Sequence, residues 1–270
     1  MKNLFDLTGK VSIVTGGNGG IGRAIALGLA EYGSDIVIAA RNEKKTEDVV
    51  KQILAKGRRC IGIQCDVLQR SDITKTIEAA VNELGGLHIL VNNAGIGQGG
   101  EPPQDISIES WQQVIDTNLT SPFVFSQAAY PAMVKCGGGK IINIGSGYSI
   151  KAAAGNAAYA ASKAGLWNMT RSMALDWGED NIQVNMILPG WISTEMTTDA
   201  LGDIKRKNKI ISETPAGRVG EPEDITGAAV FLASGASDFV TGKYIQVEGG
   251  RNAGDMACLL YTSPSRRDGL

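Results

Sequence analysis

The sequence predicts an α/β fold: a single domain built on a doubly wound parallel sheet with helices on both faces. Three observations carry that expectation. Short apolar runs of strand length alternate with longer segments of helical period, as in repeated strand–helix units. A glycine-rich turn, Thr15-Gly16-Gly17-Asn18-Gly19-Gly20-Ile21-Gly22, joins the first apolar run to the first helical segment. No linker, repeat or low-complexity break divides residues 1–256, so right-handed crossovers would wind one sheet.

Strand one spans 10–15 with Val11, Ile13 and Val14 apolar, and a helix follows over 20–32 carrying Ile21, Ala24, Ile25, Leu27 and Leu29. Gly33-Ser34 ends that helix, and Asp35–Ala40 forms strand two. A charged helix over 43–56 stops at Gly57, because glycine suits the left-handed turn that closes a helix. Residues 59–64 form strand three, 70–84 a helix stopped by Gly85-Gly86, and 87–92 strand four. One helix covers 107–135 with Pro122 as an internal kink, since proline removes a backbone donor. Gly137-Gly138-Gly139 breaks the chain before strand five at 140–144. The helix that carries Tyr159 runs to about 180, and strand six covers 182–188. Residues 191–220 show no clean period; a helix returns at 222–234 and a short strand closes the pattern at 243–247. The stretch 257–270 has no α/β pattern and reads as an appended, non-native or disordered tail.

Composition narrows the function classes. With 43% hydrophobic and 20% charged residues, the chain of 270 residues is that of an ordinary soluble globular protein. A formal net charge of −2 gives no electrostatic reason to bind nucleic acid or an anionic membrane. No apolar run approaches the roughly 20 residues that span a bilayer, and the opening residues carry no signal-peptide pattern, so a cytoplasmic location is expected. Cysteines at 60, 65, 136 and 258 lack paired metal-ligand spacing and read as buried free thiols. The single histidine, His88, stands at the start of strand four and reads as structural; no metal site is expected.

The glycine-rich turn lies between an apolar strand and an amphipathic helix. Glycines there permit a tight turn, close approach of backbone to a pyrophosphate and close helix–strand packing. The helix N-terminus adds free N–H groups and the positive end of a dipole. Gly16, Asn18, Gly20, Ile21 and Gly22 are therefore the expected phosphate-side contacts of a dinucleotide. An acidic residue after strand two would bind the ribose hydroxyls of NAD and repel a 2′-phosphate; this chain has Arg41 instead, which favours NADP. Asp66 and Val67 after strand three would lie near the adenine. Asn93, Ala94 and Gly95 after strand four would form the floor beneath the nucleotide.

Tyr159 and Lys163 are four apart, so on a helix they share one face. A free tyrosine with a pKa near 10 is a poor acid or base at neutral pH, and a fixed positive charge beside it lowers that value. Alone, such a pair is usually a solvated helix face. Here it coincides with the glycine-rich turn, with Asn92-Asn93-Ala94-Gly95 and with Ser146, thirteen residues before Tyr159.

Together these motifs resemble the short-chain dehydrogenase/reductase family from about residue 7 to residue 250, and most of all its bacterial 3-oxoacyl-carrier-protein reductase, gluconate 5-dehydrogenase and glucose dehydrogenase members. The resemblance implies a Rossmann fold and an NAD(P)-dependent oxidoreductase acting on a carbonyl/secondary alcohol pair. It makes Tyr159 the acid/base and gives Lys163 two tasks, lowering the Tyr159 pKa and binding the nicotinamide ribose. Ser146 would orient the substrate oxygen, and Asn118 would hold a water in a proton relay. Pro189, Gly190, Ile192 and Thr194 match the segment that covers the nicotinamide. Two departures are small: Gly145 stands where many members have serine, and His88 where many have aspartate.

The 191–220 segment is expected to be a lid, with Ser146, Gly147, Tyr148, Ala153, Tyr159, Trp191 and Met196 near the substrate. This set leaves open an acyl thioester, a sugar acid, a polyol or a ketone. The resemblance further implies a homotetramer pairing through the helices around 107–135 and 155–178, whose apolar residues are compatible with it. A nucleotide-sensing regulator without chemistry is the rival reading, but such proteins usually lack the Tyr or Lys.

Overall fold

A computed structural model describes residues 3–97, 100–152 and 154–253. The tail expected at 257–270 and Ala153 lie outside these residues. Seven strands form the sheet: β1 (Val11–Thr15), β2 (Asp35–Ala40), β3 (Cys60–Gln64), β4 (Ile89–Asn92), β5 (Gly139–Ile144), β6 (Ile182–Pro189) and β7 (Tyr244–Val247). Their order is β3-β2-β1-β4-β5-β6-β7 with every neighbouring pair parallel, a single-domain Rossmann fold. The chain winds outward in opposite directions from β1 and β4, so a crevice opens beyond their C-terminal ends.

Strands β1, β2, β4 and β6 are buried at every position, because helices cover both faces. Along β2 the side chains alternate between two cores. Ile36 and Ile38 pack with Ile25 and Leu29 of α1 (Gly20–Glu31) and Val49 and Ile53 of α2 (Glu43–Ala55). Val37 and Ala39 pack on the other face with Ile73 and Ile77 of α3 (Arg70–Leu84). His88 is structural as expected: its Nδ1 accepts from the Val11 N–H at 3.1 Å. Among the described residues no helix is long and apolar enough to cross a membrane.

Four sequence expectations change. The 107–135 helix is not one helix kinked at Pro122. It comprises α4 (Ile108–Ile115), a wide π turn (Asp116–Thr120) and α5 (Ser121–Lys135), with Pro122 in the first turn of α5. Pro122 has no N–H, so the Asn118 carbonyl loses its ordinary α-helical donor and the turn widens just before it. The helix bearing Tyr159 is α6 (Ala157–Asp176); Asn181 at φ 57° then turns the chain into β6. The 191–220 segment contains a short 3-10 turn (Glu195–Thr197), α7 (Thr198–Gly202) and α8 (Ile204–Ser212). Asp203 caps α8 by accepting from the Lys205 and Arg206 N–H groups, a start signal visible in the sequence. The expected 222–234 helix is a 3-10 turn (Pro222–Ile225) followed by α9 (Thr226–Ala233).

A buried polar chain ties α6 to the sheet. Asn92 Nδ2 on β4 donates to Asn143 Oδ1 on β5 at 2.9 Å. Asn143 Nδ2 donates to Thr170 Oγ1 on α6 at 2.9 Å, and Thr170 Oγ1 donates to the Leu166 carbonyl at 2.7 Å. All three side chains are buried, so each lost partner strands a desolvated polar group. Asn143→Leu, similar in size but unable to bond, is expected to cost about 2 kcal/mol or more in urea unfolding. A change below about 0.5 kcal/mol, the size of an ordinary surface substitution, would refute this role.

Candidate active site

The crevice is lined first by the turn after β1. Gly16 (φ 62°) and Gly20 (φ 47°) adopt the left-handed region that side chains disfavour. A Cβ on Gly22 would lie 2.3 Å from the Gly16 carbonyl oxygen and 2.4 Å from Asn93 Nδ2, so only glycine fits there. A Cβ on Gly19 would meet nothing within 4 Å, and Gly19 caps α1 without a side-chain bond. The first-turn N–H groups of α1, with that of Ile21 among them, have no acceptor within the helix and lie next to the opening at Gly19, as a pyrophosphate requires. The cradle fits a dinucleotide.

Side chains brace this cradle. Thr15 Oγ1 accepts from the N–H groups of Asn93 and Ala94, each at 3.0 Å, and donates to the Val91 carbonyl at 3.3 Å. Asn93 Nδ2 donates to the Thr15 and Gly16 carbonyls at 2.9 and 3.2 Å. The Asn93 side chain is thus spent on holding the turn, and Thr15, absent from the sequence-derived set, is its counterpart. Asn18 Nδ2 donates to the Asn42 carbonyl and to Thr46 Oγ1, fastening the turn to α2. Arg41 is exposed directly after β2. Asp66 Oδ1 accepts from the Leu68 N–H at 3.0 Å, and Val67 packs on the core beside it. Because β2 and β3 lie on one side of β1, Arg41 and Asp66 share the end of the crevice away from Tyr159.

The other side is built on β4, β5 and α6. Lys163 is 5% exposed, and its Nζ donates to the Ile144 carbonyl, the last of β5, at 2.8 Å. It stands 5.8 Å from the centre of the Tyr159 ring, one helical turn away. Ser146, two residues beyond Ile144, hydrogen-bonds the Tyr159 phenol. Its own Oγ accepts from the Tyr148 N–H at 3.3 Å, and the Tyr148 ring meets Tyr159 edge-on at 6.0 Å. Asn118 grips the loop after β4: Oδ1 accepts from the Ile96 N–H and Nδ2 donates to the Ile96 carbonyl, both at 2.9 Å. Asn118 Nδ2 also donates to Ser162 Oγ on α6 at 3.2 Å. A Cβ on Gly95 would sit 3.2 Å from Asn118 Oδ1 and 3.6 Å from Lys163 Nζ, so Ser146, Tyr159, Lys163 and Asn118 converge on one spot.

Burial sets the protonation of this group. It pulls Lys163 down to about 8 and pushes the Tyr159 phenol up, the Ser146 hydrogen bond opposing the latter. The sequence expectation that Lys163 lowers the Tyr159 pKa therefore does not describe the protein by itself. Desolvation is the largest influence on the Tyr159 phenol, ahead of the Ser146 hydrogen bond.

The β6 side supplies the cover. Pro189 ends the strand; at Gly190 a Cβ would lie 2.7 Å from Glu248 Cα. Ile192 is buried, and its backbone bridges Gly220. Thr194 reaches across the crevice, its methyl 3.1 Å from where a Gly20 Cβ would be. Thr197, another residue missed in the sequence, holds this strap: its Oγ1 donates to the Ile192 carbonyl at 2.6 Å and accepts from the Thr194 N–H at 3.0 Å. Trp191 is half-buried beneath the Arg206 guanidinium, 5.6 Å away, and Met196 lies exposed beside Gly97.

A dinucleotide cradle joined to a polar acid/base group defines an NAD(P)-dependent oxidoreductase acting on CH–OH groups. Residues 16–252 match the family model described as enoyl-(acyl carrier protein) reductase. The 2-dehydro-3-deoxy-D-gluconate 5-dehydrogenase of Escherichia coli is 42% identical over 247 residues, 91% of this chain and 96% of that protein. The gluconate 5-dehydrogenase of Gluconobacter oxydans is 38% identical over 92% of this chain and 96% of its own. A solved gluconate 5-dehydrogenase from Burkholderia cenocepacia, in complex with NADP and tartrate, superposes with a TM-score of 0.88 at 36% identity, covering 93% of this chain and 98% of that one. The chain belongs to the short-chain dehydrogenase/reductase family.

Gly145 explains one departure from the family pattern. A Cβ there would lie 2.6 Å from Leu188 Cδ2 and 2.7 Å from Met186 Sδ, so a serine does not fit in this chain unless its neighbours shift. Gly145→Ser is expected to destabilise by about 1–3 kcal/mol, seen as a lower Tm. An unchanged Tm would show that Met186 and Leu188 yield freely.

Proposed function

We propose that this chain is an NADP-preferring sugar-acid dehydrogenase/reductase with Tyr159 as its acid/base. The observation that carries the reading is the convergence of the Ser146 hydroxyl, the Tyr159 phenol and the Lys163 ammonium at one end of the dinucleotide crevice. During reduction the Tyr159 O–H gives its proton to the substrate carbonyl oxygen, while Ser146 donates a hydrogen bond to the same oxygen and orients it. Lys163 faces the phenolate that forms and stabilises it by charge; oxidation runs the same moves in reverse. The nicotinamide, when bound, supplies or takes the hydride. Lys163 would also hold the nicotinamide ribose, and Asn118, whose carbonyl lacks its α-helical donor, would anchor a water behind Lys163.

In this reading Gly16, Asn18, Gly20, Ile21 and Gly22 hold the pyrophosphate and Asp66 and Val67 the adenine. Asn93, Ala94 and Gly95 form the floor, while Pro189, Gly190, Ile192 and Thr194 cover the nicotinamide. Ser146, Tyr148, Trp191 and Met196 receive the substrate. The two relatives named above are dehydrogenases of gluconate or a gluconate derivative, and hydroxyl and aromatic groups at this mouth suit a polyhydroxylated chain. The Arg41 side chain would pair with the 2′-phosphate; solved relatives carry NADP or NADH. A groove between Leu119, Thr120 and Phe123 and the α6 residues Gly165, Asn168 and Met169 supports pairing of copies into a homotetramer. The protein would work in the cytoplasm, with 257–270 outside the catalytic unit.

Tyr159→Phe is expected to abolish turnover, followed by cofactor absorbance, while NADPH still binds; an unchanged rate would sink the mechanism. Reductive kcat/KM should fall as pH rises through about 8, where Lys163 loses the charge that stabilises the phenolate. Arg41→Ala should raise the KM for NADPH more than that for NADH, and equal effects would reject the 2′-phosphate assignment.

A further inference from the structure

A sugar acid differs from a neutral ketose by one carboxylate, and a site that prefers the acid needs a cation that the hydride machinery does not use. Most cations near the substrate mouth are already committed. Arg218 makes a two-pronged pair with Asp224 at 2.6 and 2.8 Å. Arg251 is paired with Glu213 and donates to the Ile210 carbonyl. Lys163 is buried against Ile144.

Lys151 is different. It follows the short turn (Gly147–Ser149) that begins at Ser146, and its chain folds back over that turn. A Cβ on Gly147 would sit 3.6 Å from Lys151 Cε and 3.2 Å from Asn252 Nδ2, so the glycine makes room for both side chains. The Lys151 ammonium meets Asn252 Oδ1, a neutral acceptor. Asn252 is itself held by its N–H, which donates to Glu248 Oε2 at 2.7 Å. One of the three ammonium donors is thus used for positioning and two remain, with no carboxylate bonded to them among the described residues. Partial burial and the neighbouring Arg251 push the Lys151 pKa down, with Glu248 and Glu213 opposing them, and an arriving anion would relieve the remaining cost.

We propose that Lys151, presented by Asn252, binds the carboxylate of the substrate and so selects a sugar acid over the corresponding ketose. The proposal rests on the sugar-acid reading above and names the residue that enforces it. Ser146 and Tyr159 hold the reacting oxygen, and Lys151, on the same loop as Ser146 and Tyr148, fixes the far end of the chain. Two anchor points orient a flexible acyclic substrate where one would let it swing.

The test uses the full chain with NADPH and two substrates, 5-keto-D-gluconate and L-sorbose, which carries CH2OH in place of the carboxylate. The wild type should prefer the acid in kcat/KM. In Lys151→Met the ratio of kcat/KM for acid over ketose should fall about tenfold or more, mainly through the KM of the acid. Lys151→Arg should recover much of it. A wild type with no preference for the acid overturns both this proposal and the sugar-acid reading. A preference that survives in Lys151→Met overturns the Lys151 assignment alone. Loss confined to Arg206→Met would make the arginine stacked on Trp191 the anchor instead, and an equal loss on both substrates in Lys151→Met would mean general damage; either result rejects the proposal.

Discussion

The site depends on one buried ammonium. Lys163 has been taken almost wholly out of water, and among the described residues the acceptor that meets it is a single backbone carbonyl, that of Ile144. Burying a charge costs several kcal/mol unless partners compensate, and one carbonyl dipole compensates only in part. Its pKa of about 8 is that shortfall expressed as proton affinity. The protein can hold Lys163 there because α6 cannot retreat: the chain from Asn92 through Asn143 to Thr170 pins the helix to two strands. The same docking places Tyr159 one turn earlier and brings Ser146 to its phenol.

Around that charge, loop after loop is held by a side chain bonded to backbone. Thr15 fastens the loop after β4 to the nucleotide turn, and Asn118 closes on both polar groups of Ile96. Ser149 accepts from the Ser146 N–H, and Thr197 holds the strap at Ile192 and Thr194. A parallel sheet ends its strands at one edge, so four loops with different sequence neighbours meet there and none is braced by its own strand alone. Short hydroxyl and amide side chains supply the bracing, leaving donors aimed at the crevice before any ligand arrives.

Much of this was legible in the chain, and the misses have physical causes. Alternating apolar runs revealed six strands to within one residue at each end and β4 with its start two residues early; burial on both faces leaves little choice of residue in the central strands. The α8 helix escaped notice because its exposed face is charged and only Ile210 is buried, although Asp203 marks its start. Pro122 drew attention to the right place, but the irregularity lies before it, in the π turn that swings Asn118 toward Ile96. Thr15, Thr197 and Lys151 carry no motif of their own. Thr15 and Lys151 act through contacts across long sequence distances, with Asn93 and Ala94 and with Asn252, while Thr197 acts locally on Ile192 and Thr194.

The sequence by itself determined which groups are candidates for the chemistry: a Tyr and a Lys one helical turn apart, a serine thirteen residues before the Tyr and a glycine-rich turn between a strand and a helix. These are local spacings, and helix and turn geometry convert them directly into positions. Only the tertiary structure decided the electrostatics. Whether the phenol is lifted or lowered depends on how much water the fold removes from Tyr159 and how far Lys163 stands from it. Desolvation is a property of the packed whole, so it cannot be read from residues one turn apart.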